Sequence, residues 1–238
     1  MRWGIGVITC ERFGYLRKCV DSLYHYNPEL KKVPLIIGDD ASAHGDVDRM
    51  KQFWPDAYIT HFVDRAGCSA NIQRVYEIAE KRLKLDYLFF TVNDIACTRK
   101  IDFKALLNFM EKTPEAGQIQ FMRYKGKPGD LKQERAKFNW TTRESIKYGE
   151  WIQIGKERIR ATNYSYVNLP AITRLNVCDI TKGSVGLQGS GDKFHQSVEL
   201  MWVRNWYNTG LVNYETEPKE QPFWGLDFGG NRTSFLKV

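Results

Sequence analysis

"DYLFFTVNDIAC", residues 86–97, is an apolar run that stops on one carboxylate, Asp94. Tyr87, Leu88, Phe89, Phe90, Thr91 and Val92 show almost no polar alternation, which is the pattern of a strand buried on both faces. Such strands sit inside parallel sheets, and in open parallel sheets the ligand site lies just beyond the carboxyl ends of the strands. Asp94 therefore falls either where chemistry takes place or in an Asn-Asp turn that merely closes the strand.

The residues before it decide the architecture. "GIGVITC" (4–10), "VPLIIGDDAS" (33–42) and "YITHFV" (58–63) read as three further strands. Between them, residues 15–26 carry Leu16, Cys19, Val20 and Leu23 at helical spacing, and residues 47–54 form a short helix. Residues 69–84 form a longer helix opened by a capping Ser69, and a fourth helix spans about 102–112. Strand and helix alternating four times predict an α/β fold, a mostly parallel central sheet flanked by helices. From residue 118 the pattern breaks: one more strand, "IQFMRY" (119–124), then a long polar stretch, then an aromatic helix, "SVELMWVRNWYNTG" (197–210). No repeat or linker divides the chain, so a single domain with two functional halves, 1–117 and 118–238, is expected.

With 238 residues, 42% of them hydrophobic, the chain is long enough for one well-buried core. No apolar stretch approaches the roughly 20 residues of a membrane span, and no secretory leader is visible, so a soluble cytoplasmic protein is expected. The five cysteines are scattered without a CxxC pair, which argues against a disulfide framework and a zinc site. "GIG" at 4–6 lacks the rest of the dinucleotide fingerprint. The net charge of +7 favours a phosphate-bearing partner. Residues 123–160 hold eleven Lys or Arg against five Asp or Glu, interleaved with Phe138, Trp140, Tyr148 and Trp151. That mixture suits a polyanion whose rings can stack, or equally a solvated loop with a few core aromatics.

Acids collect at the strand ends: Asp39 and Asp40 after the second strand, Asp94 after the fourth. On one rim of a parallel sheet they suit a nucleotide, one carboxylate accepting from the base or ribose while another neutralises a diphosphate through Mg²⁺ or Mn²⁺.

"VITCERFGYLRKCVDSL", "PLIIGDDAS", "CSANIQRVYEIA" and "FFTVNDI", taken in order and spacing over about the first 110 residues, resemble the nucleotide-sugar half of glycosyltransferase family 2, which has the GT-A fold. The resemblance implies that Thr9 and Glu11 lie beside the nucleotide, that Asp40 holds the base, with Asp39 as a second candidate, and that Asn71 and Arg74 lie near the ribose and diphosphate. The family's metal motif, Asp-x-Asp or Asp-Asp-Asp, aligns with Val92-Asn93-Asp94, where its last acid alone is kept. Asp94 is then the implied ligand of a divalent metal (Mn²⁺ or Mg²⁺), and Asn93 a contact to the sugar or ribose. Inverting members use an acid to take the proton from the attacking hydroxyl. The resemblance puts Glu199 there, with Asp192 and His195 of the glycine-rich 183–191 region and its flank in reserve. Arg232 is a further residue that reaches toward a diphosphate on this reading, and Trp202, Trp206, Tyr207, Phe223 and Trp224 form either a sugar platform or core.

The expected function is sugar transfer from a nucleotide sugar, of the UDP type, to a hydroxyl. The basic second half admits DNA carrying hydroxymethylated pyrimidines as acceptor, reached by flipping the base, alongside polysaccharide or lipid-linked glycans. Nucleotidyl transfer would place a glycine-rich basic signature after the first strand, and "TCERFGY" has none. A non-catalytic nucleic-acid-binding module is the alternative of another class.

Overall fold

A computed structural model describes residues 1–121, 123–124, 138–139, 144–145, 147–163, 170–175, 205–206, 208–217 and 223–225. The first half runs β1 (Trp3–Thr9), α1 (Phe13–Tyr26), β2 (Leu35–Asp40), α2 (His44–Phe53), β3 (Tyr58–Phe62), α3 (Cys68–Glu77) and β4 (Tyr87–Val92). It continues through β5 (Ile95–Cys97), α4 (Phe103–Lys112) and β6 (Ala116–Gln120). Then follow β7 (Arg123–Tyr124), β8 (Phe138–Asn139), β9 (Glu144–Ser145), β10 (Ile152–Ile154), β11 (Glu157–Thr162), β12 (Ala171–Arg174), β13 (Val212–Thr216) and β14 (Phe223–Gly225).

Nine strands form one sheet in the order β10-β11-β13-β6-β12-β4-β1-β2-β3. From β3 to β4 the pairing is parallel throughout, as the unbroken apolar runs predict. Beyond β4 the sheet is mixed: β12 runs antiparallel to both β4 and β6, and β11 antiparallel to β13, while β13 and β6 are parallel. Strands from both halves of the sequence therefore share one sheet. The expected strand over 119–124 is divided: β6 ends at Gln120, Phe121 is buried in the core, and β7 joins β14 and β5 in a separate small sheet.

Helices cover both faces. Leu16, Cys19, Val20 and Leu23 of α1 and Phe103, Leu106, Leu107 and Met110 of α4 enter one core with Val7, Ile37 and Phe89. Ile72, Val75 and Tyr76 of α3 enter the other with Ile8, Ile36, Leu88 and Phe90. Ser69 does not cap α3. Gly67 occupies that position at φ +91°, where a side chain would be strained, and Ser69 is buried inside the first turn. Two aromatics offered as a sugar platform are core: Trp206 is buried and donates its indole N–H to Asn213 Oδ1, and Phe223 is buried and stacks on Phe89. Trp202 and Tyr207, and the side chain of Trp224, lie outside the described residues. No helix among the described residues is long and apolar enough to cross a membrane.

The glycines of the first half set how closely α3 approaches the sheet. A Cβ on Gly6 would come within 2.7 Å of Val75 Cγ1, and one on Gly38 within 2.7 Å of Val75 Cγ2 and 2.4 Å of Asn71 Oδ1. Gly6 of the "GIG" segment and Gly38 thus serve helix-on-sheet contact. Gly38→Ala must push α3 outward, and overpacking of this kind costs about 2 kcal/mol. Thermal unfolding of the variant is expected about 5 °C below wild type; an unchanged midpoint would show that α3 yields without cost.

Candidate active site

β1 leads outward to β2 and β3 on one side, while β4 returns on the other, so the strand order reverses between β1 and β4. At such a switch point the connections diverge to opposite sides and leave a crevice at the carboxyl ends of the two strands. A cleft of about 470 Å³ lies there, lined among others by Thr9, Glu11, Asp40, Asn71, Asn93 and Asp94. Six residues singled out in the sequence are brought together from the ends of three strands and the first turn of α3.

Their roles in the wall differ. Asn71, almost fully buried, donates its side-chain amide to the carbonyl oxygens of Thr9 (3.3 Å) and Gly38 (3.0 Å), fastening α3 to the ends of β1 and β2. Asn93 donates its amide to Thr9 Oγ1 at 2.9 Å and its backbone N–H to the carbonyl of Ile8, so it ties β4 to β1. Asp39 is fully buried and does not line the cleft; it accepts from the backbone N–H and hydroxyl of Ser42 and lies 2.7 Å from His61 Nδ1. Ser42 Oγ in turn accepts from the Glu11 backbone N–H at 2.7 Å. This bracket holds Glu11 and Ala41 at φ +49° and +60°, conformations that residues with a Cβ seldom adopt.

Asp40 reaches the cleft but is partly engaged: Oδ1 accepts from the backbone N–H of Ala66 (2.8 Å) and Gly67 (3.2 Å), and Oδ2 from Gly67 (3.1 Å). It thereby positions the β3–α3 loop, which carries Arg65. Arg65 and Glu11 form an ion pair, and both line the cleft. Arg12 lines it as well, giving two guanidinium groups beside the carboxylates. Neither arginine was singled out in the sequence; the signal for Arg65 was a cation between a strand end and a helix start, on the rim where anions bind. Arg74 stands apart from the cleft, paired with Glu77 at 3.5 Å and placed over the Phe62 ring. Glu199, Asp192, His195, Arg232 and the 183–191 region lie outside the described residues.

Asp94 is the acid of this wall with a bare oxygen. Its Oδ1 is buried and has no hydrogen-bond partner among the described residues. A carboxylate oxygen withdrawn from water without a partner costs free energy, and it matches the hard oxygen donor that Mg²⁺ or Mn²⁺ takes. No group of three or more His, Cys, Asp or Glu suited to a metal occurs among the described residues. A cation here would rest on Asp94 and on oxygens of the bound ligand.

The basic and aromatic segment is engaged with itself where it is described. Arg160 lies over the Tyr148 and Trp151 rings, 3.7 and 4.4 Å from their centroids, and donates to the buried Glu215 at 2.7 and 2.8 Å. Arg158 pairs with Glu217 at 3.0 Å. These contacts stitch β11 to β13 and its following residue.

The α/β sheet, with its switch-point cleft and acids on the rim, has the GT-A fold. The chain belongs to glycosyl transferase family 2, whose sequence model matches residues 5–169. Among solved structures it is similar to residues 1–349 of S. aureus TarS in complex with UDP, at 11% identity and a TM-score of 0.58, over 94% of this chain and 60% of that one. The same TarS fragment in complex with UDP-GlcNAc matches at 11% identity and a TM-score of 0.57, over 94% and 58%. The chain thus spans about 60% of the length of these relatives. A search of curated protein sequences finds no match.

Thiol chemistry reports on the cleft. Burial pushes the Cys97 thiol up to about 11 from an ordinary 9.0, and burial with the nearby Asp94 charge pushes Cys19 up further. Cys68 is exposed at the start of α3 and lines the cleft with Cys10. In a Cys178→Ser background at pH 8, a disulfide reagent is expected to modify Cys68 first, and Cys19 and Cys97 only after unfolding. Because both buried thiols titrate higher in the fold than in the unfolded chain, their contribution to stability is complete below pH 9; that of Cys97 is lost as pH rises through about 11, and that of Cys19 at higher pH still. Fast labelling of Cys97 in the native protein would contradict this core.

Proposed function

We propose that the chain is an inverting glycosyltransferase that moves a sugar from a nucleoside diphosphate sugar, of the UDP type, to a hydroxyl acceptor. One observation carries the reading: the switch-point cleft collects Thr9, Glu11, Asp40, Asn71, Asn93 and Asp94 beside Arg12 and Arg65, and presents a buried Asp94 oxygen with no partner among the described residues. Membership of glycosyl transferase family 2 and the likeness of fold to TarS support it.

In this proposal the nucleoside lies against the ends of β1 and β2, with Thr9 and Asp40 at the base and ribose. Arg12, Arg65 and the amino end of α3 face the diphosphate, where cations and a helix start favour anionic oxygens. Arg74, one turn beyond Asn71, is assigned a longer-range part in that field, and Asp39 supports the Ser42 turn beneath the base. A divalent cation held by Asp94 would supply neutralisation of charge on the departing diphosphate. The acceptor oxygen forms its bond to the anomeric carbon as the bond to the diphosphate breaks, and the hydroxyl proton passes to a carboxylate, Glu199 with Asp192 in reserve. The chain's +7 charge supports a phosphate-bearing acceptor, and DNA with hydroxymethylated pyrimidines is the acceptor tested first.

The test is a transfer assay with Mn²⁺, a panel of UDP- and GDP-sugars, and either modified duplex DNA or glycan acceptors, read by product mass. A hexose-sized gain on the acceptor with release of nucleoside diphosphate is expected. Asp94→Asn should lower kcat about a hundredfold while leaving the unfolding midpoint in place. Full turnover by that variant, or no consumption of any nucleotide sugar by wild type, would refute the reading. With DNA, turnover should fall steeply between low and high salt; a flat response transfers the acceptor to the glycans.

A further inference from the structure

A second cleft, of about 420 Å³, lies at the other end of β1. Trp3 opens that strand and Thr9 closes it, so the two clefts are separated by roughly 20 Å of extended chain. The floor is apolar: Trp3 is stacked on Phe103 with centroids 5.4 Å apart, and Leu30, Ile101 and Leu107 complete it. Three lysines from three separate segments stand around it: Lys100 before α4, Lys104 in its first turn, and Lys156 in the β10–β11 turn. None of their ammonium groups forms an ion pair among the described residues.

The lysines are held together by a buried brace. Glu157, 1% exposed, accepts from Arg99 through both oxygens, Nη1 to Oε1 at 2.9 Å and Nη2 to Oε2 at 2.7 Å. It also accepts from the Asp102 backbone N–H at 3.1 Å. The β10–β11 turn is pressed onto α4 so closely that a Cβ on Gly155, at φ +58°, would fall 2.4 Å from Asp102 Oδ2. Two carboxylates share the cleft. Asp102 accepts from the backbone N–H groups of Ala105 (3.1 Å) and Lys156 (3.4 Å) and keeps its charge, so with Glu29 two carboxylates stand against three lysines and the lining remains cationic.

We propose that this cleft binds a small organic phosphate, a phosphomonoester or diphosphate on an apolar or planar body. The concave shape and volume are those of a small-ligand site, whereas a lipid surface or a long polymer would need a flatter one. The apolar floor takes the body of the ligand, and the lysine ammonium groups take the phosphate oxygens as charge-assisted donors. The site is independent of the donor cleft and of what that cleft transfers.

The test uses the full ¹⁵N-labelled chain titrated with adenosine monophosphate and, separately, inorganic phosphate. Saturable shifts are expected at the Trp3 indole N–H and at the Lys104 and Lys156 amides, with the monophosphate binding more tightly than phosphate alone. A variant carrying Lys100→Ser, Lys104→Ser and Lys156→Ser should retain the remaining spectrum and bind about tenfold more weakly or worse. Shifts confined to the Thr9 and Asp94 end, or undiminished binding by the triple variant, would overturn the assignment. So would lysine-dependent sedimentation with phosphatidylglycerol vesicles when neither soluble probe moves the Trp3 signal.

Discussion

The side-chain amide of Asn71 is the contact on which the rest of the cleft depends. Parallel strands end with carbonyl groups that no neighbour completes, and a buried carbonyl without a donor is costly. One amide serves the Thr9 carbonyl that ends β1 and also reaches the Gly38 carbonyl within β2, and it does so from a helix that glycines at 6 and 38 allow to lie directly on the sheet. A larger residue at 38 would collide with Asn71 itself. Backbone approach, amide bond and cleft wall are therefore a single arrangement, and Asn93 repeats the device on the other side by tying β4 to Thr9.

With the wall held in this way, the acids divide into two kinds. Asp39 is consumed by the Ser42 turn and His61, and Asp40 is largely consumed by the loop that presents Arg65. Asp94 keeps a buried oxygen without a donor among the described residues. A site that invests most of its carboxylates in shape and leaves one unsatisfied has a strong local preference for a cation or a donor group at that point, since binding there removes a desolvation cost already incurred.

The first half of the fold was legible because β1, β2 and β4 are buried along nearly their whole length, so apolar runs and helical spacing mark these elements directly, while the edge strand β3 is half-buried. The end of β4 and the acids after β2 were legible for the same reason, as polar residues interrupting apolar strands. What could not be read was which of two adjacent aspartates faces the cleft, because that depends on a hydroxyl at Ser42 and a ring at His61 brought in from another strand. The start of α3 was misread because a left-handed Gly67 replaced the side-chain cap that Ser69 advertised. The second half was opaque because short antiparallel strands are joined by pairs far apart in sequence, such as Arg160 with Glu215 and Arg99 with Glu157. Its arginines and aromatics looked like a surface for a polyanion and, where described, are packed against one another.

The most direct test of the switch-point cleft as the donor site is a crystal structure of the chain grown with UDP and Mn²⁺. The nucleoside is expected against Thr9 and Asp40, with the diphosphate near Arg65 and the metal on Asp94. Nucleotide bound elsewhere, or an occupied cleft with Asp94 Oδ1 still untouched, would contradict it.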